Sequence, residues 1–171
     1  MKSIYHKNVS KVGFLKSTNK GQQVMLKRLL VEETIKLNEN VTNWKEGVQL
    51  GGELLENAGI IDGSYIQAMI QAIENLGPYV VIAPGIALPH ARPEDGAKEM
   101  GLSLVTLSTP VCFGHEKNDP VSIIVCLSAI DHSSHLQVLS ELSTYLNDRR
   151  FVSLVKETKK KEDILTYLNN V

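Results

Sequence analysis

The sequence predicts an α/β protein: a mixed central β-sheet flanked by helices on both faces. Three observations carry this. Two long apolar runs with strand character, residues 100–108 and 121–130, stand past the middle of the chain. Segments with helical periodicity both precede and follow them. Shorter extended pieces lie at 35–37 and 79–88, so helices and strands interleave along the chain.

Taken in order, residues 1–24 are polar and basic with no sustained period. They read as a disordered or loosely attached tail. Regular patterning starts at Met25, and we expect Met25 to be a start, with the preceding residues an over-extension and the domain spanning 25–171. Ile35-Lys36-Leu37 alternates like a strand. A helix then opens near Trp44 with Thr42 as its expected N-cap, and Trp44, Val48, Leu54, Leu55 and Ala58 on its apolar face. Gly51 and Gly52 weaken that helix unless something packs closely against them. Gly59 closes it as a C-cap glycine. Asp62-Gly63-Ser64 is a turn and cap for the next helix, which is expected to bury Ile66, Met69, Ile70 and Ile73.

Past residue 77 two extended pieces flank the turn Pro84-Gly85. The run at 121–130 is almost uniformly apolar, as expected of a central strand covered on both faces. It ends at Asp131-His132-Ser133-Ser134-His135. The helix after it is expected to take Ser133 or Ser134 as N-cap and to bury Leu136, Leu139, Leu142 and Leu146. Two short helices finish the chain, near 149–157 and 161–169.

Composition narrows the function classes. The 171 residues carry a net charge of −1, so no electrostatic case exists for nucleic acid or an anionic membrane. No apolar stretch approaches the roughly 20 residues a spanning helix needs, and no signal core is visible, so a cytoplasmic location is expected. No Gly-rich phosphate loop supports nucleotide binding. Cys112 and Cys126 lack metal or redox spacing and read as buried, unreactive thiols.

The chemistry gathers at Gly77-Pro-Tyr-Val-Val-Ile-Ala-Pro-Gly-Ile-Ala-Leu-Pro-His-Ala-Arg-Pro-Glu-Asp-Gly96. This stretch delivers His90 from a stiff strand end, because Pro89 fixes its own φ and holds Leu88 extended. A neutral imidazole is a good nucleophile near pH 7. The same pattern also suits a core histidine with satisfied hydrogen bonds, and the residues alone do not separate the two. His135 falls at the start of a helix, where anions are favoured; a capping or surface role fits equally. Arg92 can hold an anion beside His90 or lie solvated. His132, Asp131 and His115 complete the polar set, without the spacing of a known metal motif.

That histidine stretch resembles the active-site signature of phosphotransferase-system enzyme IIA of the fructose/mannitol superfamily, and its wording is most similar to the ascorbate branch. Asp119-Pro-Val and Asp131-His-Ser-Ser-His-Leu-Gln-Val-Leu139 resemble the downstream block of the same family. The resemblance implies an α/β sandwich. It implies a phosphoryl group accepted on Nε2 of His90 from the histidine-containing phosphocarrier protein, with His135 beside it. The group would pass to a cysteine of a separate enzyme IIB and on to sugar entering through the membrane enzyme IIC. No cofactor or metal is implied. Arg92 and backbone N–H groups are further candidates for holding the charge. Where the mannitol branch carries an arginine in the preceding helix, alignment by spacing puts Glu74. The alternative is a regulatory, nitrogen-type relative that binds partners according to phosphorylation state.

Overall fold

The computed structural model describes residues 23–171. Its elements run α1 (Gln23–Leu29), a short 3-10 turn, β1 (Ile35–Glu39), α2 (Trp44–Asn57), α3 (Gly63–Leu76), β2 (Val81–Ala83) and β3 (Ile86–Ala87). After a second 3-10 turn at Pro93–Asp95 come β4 (Gly101–Val111), β5 (Val121–Ser128), α4 (His132–Leu146), α5 (Arg149–Glu157) and α6 (Lys161–Asn169). The tail assigned to 1–24 lies outside the described residues except for Gln23 and Val24, which already belong to α1.

The five strands form one sheet in the order β1-β4-β5-β3-β2. β1 runs parallel to β4, β4 antiparallel to β5, β5 parallel to β3, and β3 antiparallel to β2, so the sheet is mixed as expected. β5 is the middle strand, and its uniform apolar run has a simple cause. Ile124 and Cys126 point into the core under α2 and α3. Ile123, Val125 and Leu127 point into the core under α1, α4, α5 and α6. Successive strand residues face opposite sides, so a strand covered twice needs apolar residues at every position. The strand ends at Ser128, two residues short of the expected Ile130, which is half exposed.

The α2 glycines have a steric reason. A Cβ on Gly51 would stand 2.6 Å from Cys126 Sγ and 3.3 Å from Ser103 Oγ, and one on Gly52 would stand 2.7 Å from Ile66. Helix α2 therefore lies unusually close to β4, β5 and α3. Ser103 Oγ uses the approach to donate to the Gly51 carbonyl at 2.7 Å. Helix α1 is held from α4: its Leu26 N–H donates to Glu141 Oε1 at 2.8 Å. Glu141 is buried, and that burial pushes its carboxyl pKa up.

Several local expectations shift. Asn43, not Thr42, caps α2, accepting from Glu46 N at 3.1 Å. Asp131, not Ser133 or Ser134, caps α4, accepting from Ser134 N at 2.7 Å; Ser134 closes the capping box from the other side. Leu142 is buried as expected and Leu139 and Leu146 pack partly buried against the same core, but Leu136 is exposed, and Val138 and Tyr145 are buried in addition. Ala58 is exposed at the C-cap of α2. Cys112 is exposed, since it stands just beyond the end of β4 and outside the sheet's paired residues. Cys126 is buried as expected, and burial pushes its thiol up to about 12.

Replacing Gly51 by Ala should destabilise the fold by about 1–2 kcal/mol in urea titration. Overpacking against Cys126 and Ser103 outweighs the helix propensity gained, which is itself roughly 1 kcal/mol.

Candidate functional site

The site lies beyond the carboxyl ends of the parallel pair β3 and β5, the usual place for a ligand in an α/β sheet. The segment after β3 continues alongside β5. Leu88 N–H donates to the Val80 carbonyl at 2.8 Å, and Leu127 N–H donates to the Pro89 carbonyl at 3.0 Å. His90 thereby sits opposite Leu127 in a single parallel bridge. From the other side β5 passes through Ala129 and Ile130 to Asp131, where α4 begins. The first turn of α4 carries His132 and His135.

These two strand exits bring His90 and His135 together, with ring centroids 5.2 Å apart and planes inclined by 47°. Tyr79 meets His90 edge-on at 6.1 Å. The rings line a cavity of about 510 Å³ that also includes Arg92 and Asp131. Helix α3 walls its far side with Ala68, Ala72 and Leu76, one residue per turn of one face.

The tautomer of His90 follows from its partner. Nδ1 lies 2.8 Å from the Leu88 carbonyl oxygen. A carbonyl only accepts, so Nδ1 carries the proton and donates it. Nε2 is left with its lone pair, on a ring that borders the cavity. The His135 imidazole is held below the ordinary value of 6.5, first by burial and then by the charges of His90 and His132. At neutral pH it is an uncharged ring with one N–H to donate.

Arg92 lines the cavity but is already engaged. Its Nε and Nη2 reach the two oxygens of Asp95 at 3.2 and 3.1 Å, and Nη1 lies 3.7 Å from Glu94. Among the described residues it is the one lysine or arginine bordering the cavity. Glu74 is not part of the site: it is exposed on α3 and paired with Lys45. The α3 positions that face the cavity carry alanine and leucine, so that helix supplies no charge of either sign. His115 is also elsewhere, in the loop before β5, where its Nδ1 accepts from the amides of Lys117 and Asn118 at 3.2 and 3.0 Å.

Tyr65 was not among the sequence candidates. It is fully buried at the start of α3. Its hydroxyl lies 2.7 Å from the Leu127 carbonyl and accepts from Ala91 N–H at 3.0 Å. Burial pushes the phenol up to about 12, so it keeps its proton at any physiological pH. No local pattern marks it, because its partners stand 62 and 26 residues away in sequence.

Two histidines at paired strand exits, one with Nδ1 engaged and its ring bordering the recess, line the cavity of a mixed α/β sandwich. The family model described as the phosphoenolpyruvate-dependent sugar phosphotransferase system, EIIA 2, matches residues 28–171, and the chain belongs to that family. Over 142 residues it is 35% identical to a protein named the ascorbate-specific PTS system EIIA component of Escherichia coli, covering 82% of this chain and 92% of the relative. Among solved structures it is similar to the mannitol-specific cryptic phosphotransferase enzyme IIA of Escherichia coli. That match has a TM-score of 0.77 at 29% identity and covers 85% of this chain and 99% of the other. It is also similar to enzyme IIAMTL from Escherichia coli in its complex with phosphorylated enzyme IIBMTL, with a TM-score of 0.73 at 25% identity, covering 84% and 100%.

The state of His135 has a measurable consequence. Its ring should titrate below 6.5 by NMR, and the His90→Ala variant should move it back towards 6.5 by removing one of the causes. Between 6.5 and the lower folded value the unfolded chain takes the proton first. Acidification through that window should therefore lower stability, and stability is regained above it.

Proposed function

We propose that the protein is a phosphoryl carrier of the sugar phosphotransferase system and works in the cytoplasm. It accepts a phosphoryl group on Nε2 of His90 from the phosphohistidine of the phosphocarrier protein. It then passes the group to the cysteine of a separate enzyme IIB, for uptake of ascorbate or a related sugar through the membrane enzyme IIC. The observation that carries this reading is the Leu88 hydrogen bond, which commits Nδ1 as donor and leaves Nε2 as the nucleophile. The ascorbate assignment draws on the name of the relative, and the enzyme IIB partner on the complex formed by the mannitol protein.

The steps balance without a cofactor. The phosphorus–nitrogen bond of the donor breaks as a bond forms to His90 Nε2. That bond in turn breaks as the enzyme IIB thiolate sulfur bonds to phosphorus. Nδ1 keeps its proton and its bond to Leu88 throughout, so the ring need not turn. The phosphoryl group brings a charge of about −1.5 to −2. The neutral His135 ring is close enough to donate to it, and the first turn of α4 offers backbone N–H groups and the positive end of its dipole. Arg92 can add its charge by exchanging Asp95 for the phosphoryl oxygens. Phosphoryl transfer asks mainly for positioning and charge stabilisation, and these groups supply both.

His90→Ala should accept no label from the phosphorylated phosphocarrier, and a variant that labels normally would refute the assignment. His135→Ala should accept the group more slowly, by roughly 10- to 100-fold. Purified protein that labels on His90 but hands the group to no enzyme IIB would point instead to the regulatory relative.

A further inference from the structure

A parallel ladder has a fixed accounting. When residue j of one strand bridges residue i of the other, its N–H donates to the carbonyl of i−1, and its carbonyl accepts from the N–H of i+1. His90 bridges Leu127. The first bond of the rung is present, Leu127 N–H to the Pro89 carbonyl at 3.0 Å. The second would run from Ala91 N–H to the Leu127 carbonyl. The Tyr65 hydroxyl engages the same two groups. It accepts from Ala91 N–H at 3.0 Å and is 2.7 Å from the Leu127 carbonyl. The Ala91 carbonyl, at 3.2 Å, is the longer alternative for its single proton.

Only a group that donates and accepts through one atom can be spliced into a rung in this way, and a hydroxyl is such a group. Both backbone partners remain satisfied, so the splice leaves no buried polar group unpaired. It ties the chain to β5 through a side-chain oxygen immediately after His90. The ladder is closed on the Pro89 side of the ring and open on the Ala91 side. His90 is the residue at which the segment leaves the sheet, and the ring leaves with it into the cavity while Nδ1 still reaches back to Leu88.

We propose that Tyr65 is a positioning residue for His90. Its hydroxyl, wedged into the last rung between β5 and the 88–91 segment, sets the direction in which the imidazole faces the cavity and keeps Nδ1 on the Leu88 carbonyl. This deepens the carrier reading and rests on it for the consequence in phosphoryl transfer, though not for the geometry. The wedge comes from α3, the same helix that walls the cavity with Ala68, Ala72 and Leu76. Helix α3 thus locates the reacting ring as well as enclosing it.

The test is Tyr65→Phe, which keeps the buried ring and removes the hydroxyl. Two readouts separate positioning from mere support of the fold. One is the ring tautomer of His90, from its 15N chemical shifts; the other is the rate of phosphoryl acceptance per folded molecule. The parent should show Nδ1 protonated. The variant should show a mixture of tautomers and accept the group roughly 10- to 100-fold more slowly. Leu168→Ala, in the opposite core, should lower stability yet leave both readouts at the parent values. A Tyr65→Phe protein with the parent tautomer and the parent rate would overturn the proposal. If that variant does not fold, amide exchange in the parent decides. An Ala91 N–H protected as strongly as that of Leu127 supports the wedge, and one that exchanges like an exposed loop amide overturns it. A parent that accepts no phosphoryl group would sink the carrier reading alone, since the tautomer still reports on Tyr65.

Discussion

Strand β5 is held on both edges and covered on both faces, and the arrangement of the site depends on that. Its edges pair with β4 and β3, and its two faces feed the two cores. A strand so placed cannot slide by one residue, because the slip would exchange the residues of the two cores. Its carboxyl end is therefore a fixed point. His90 is registered against Leu127, and the N-cap of α4, Asp131, stands three residues after Ser128. The spacing of the two imidazoles is inherited from a single strand end rather than from a loop.

The layers around β5 then divide the labour. Helices α2 and α3 close one face, with α2 brought in so tightly that Gly51 and Gly52 leave no room for a side chain. Helix α3 reaches past the sheet edge to wall the cavity. On the other face α4 is anchored by Val138, Leu142 and Tyr145, and Glu141 on the same helix caps α1. The start of α4, which carries His132 and His135, is thus the exposed end of an otherwise well-anchored helix. This is how a half-buried histidine can be both steady and reachable.

Much of the fold was legible in the sequence because its signals are local. The apolar run of β5, the glycine after α2 and the periodicity of α5 and α6 each declare themselves within a few residues. Local ambiguity produced the misplacements. Thr42 and Asn43 both cap well, and so do Asp131, Ser133 and Ser134, so the choice falls to where the neighbouring element ends. Leu136 fits a helical period in sequence, but α4 is rotated so that Val138 and Tyr145 take the core. For the site, His90 could not be told from a core histidine by residue chemistry; the surrounding signature singled it out. Spacing along the chain directed attention to Glu74, but on α3 it stands two residues from Ala72, more than half a turn away from the face that lines the cavity. Tyr65 was invisible because hydrogen bonds to backbone groups far along the chain leave no trace in composition or period.

The shared cavity also bears on traffic. His90 and His135 border one and the same recess, so a proposed donor and a proposed acceptor must present their reacting atoms at one address. They cannot be seated together, and each must leave before the other arrives. Flux through such a carrier is then bounded by dwell time: a partner held too firmly blocks the next. A weak, quickly released encounter is what this geometry favours, with residence adjusted through off-rates rather than through added contact area.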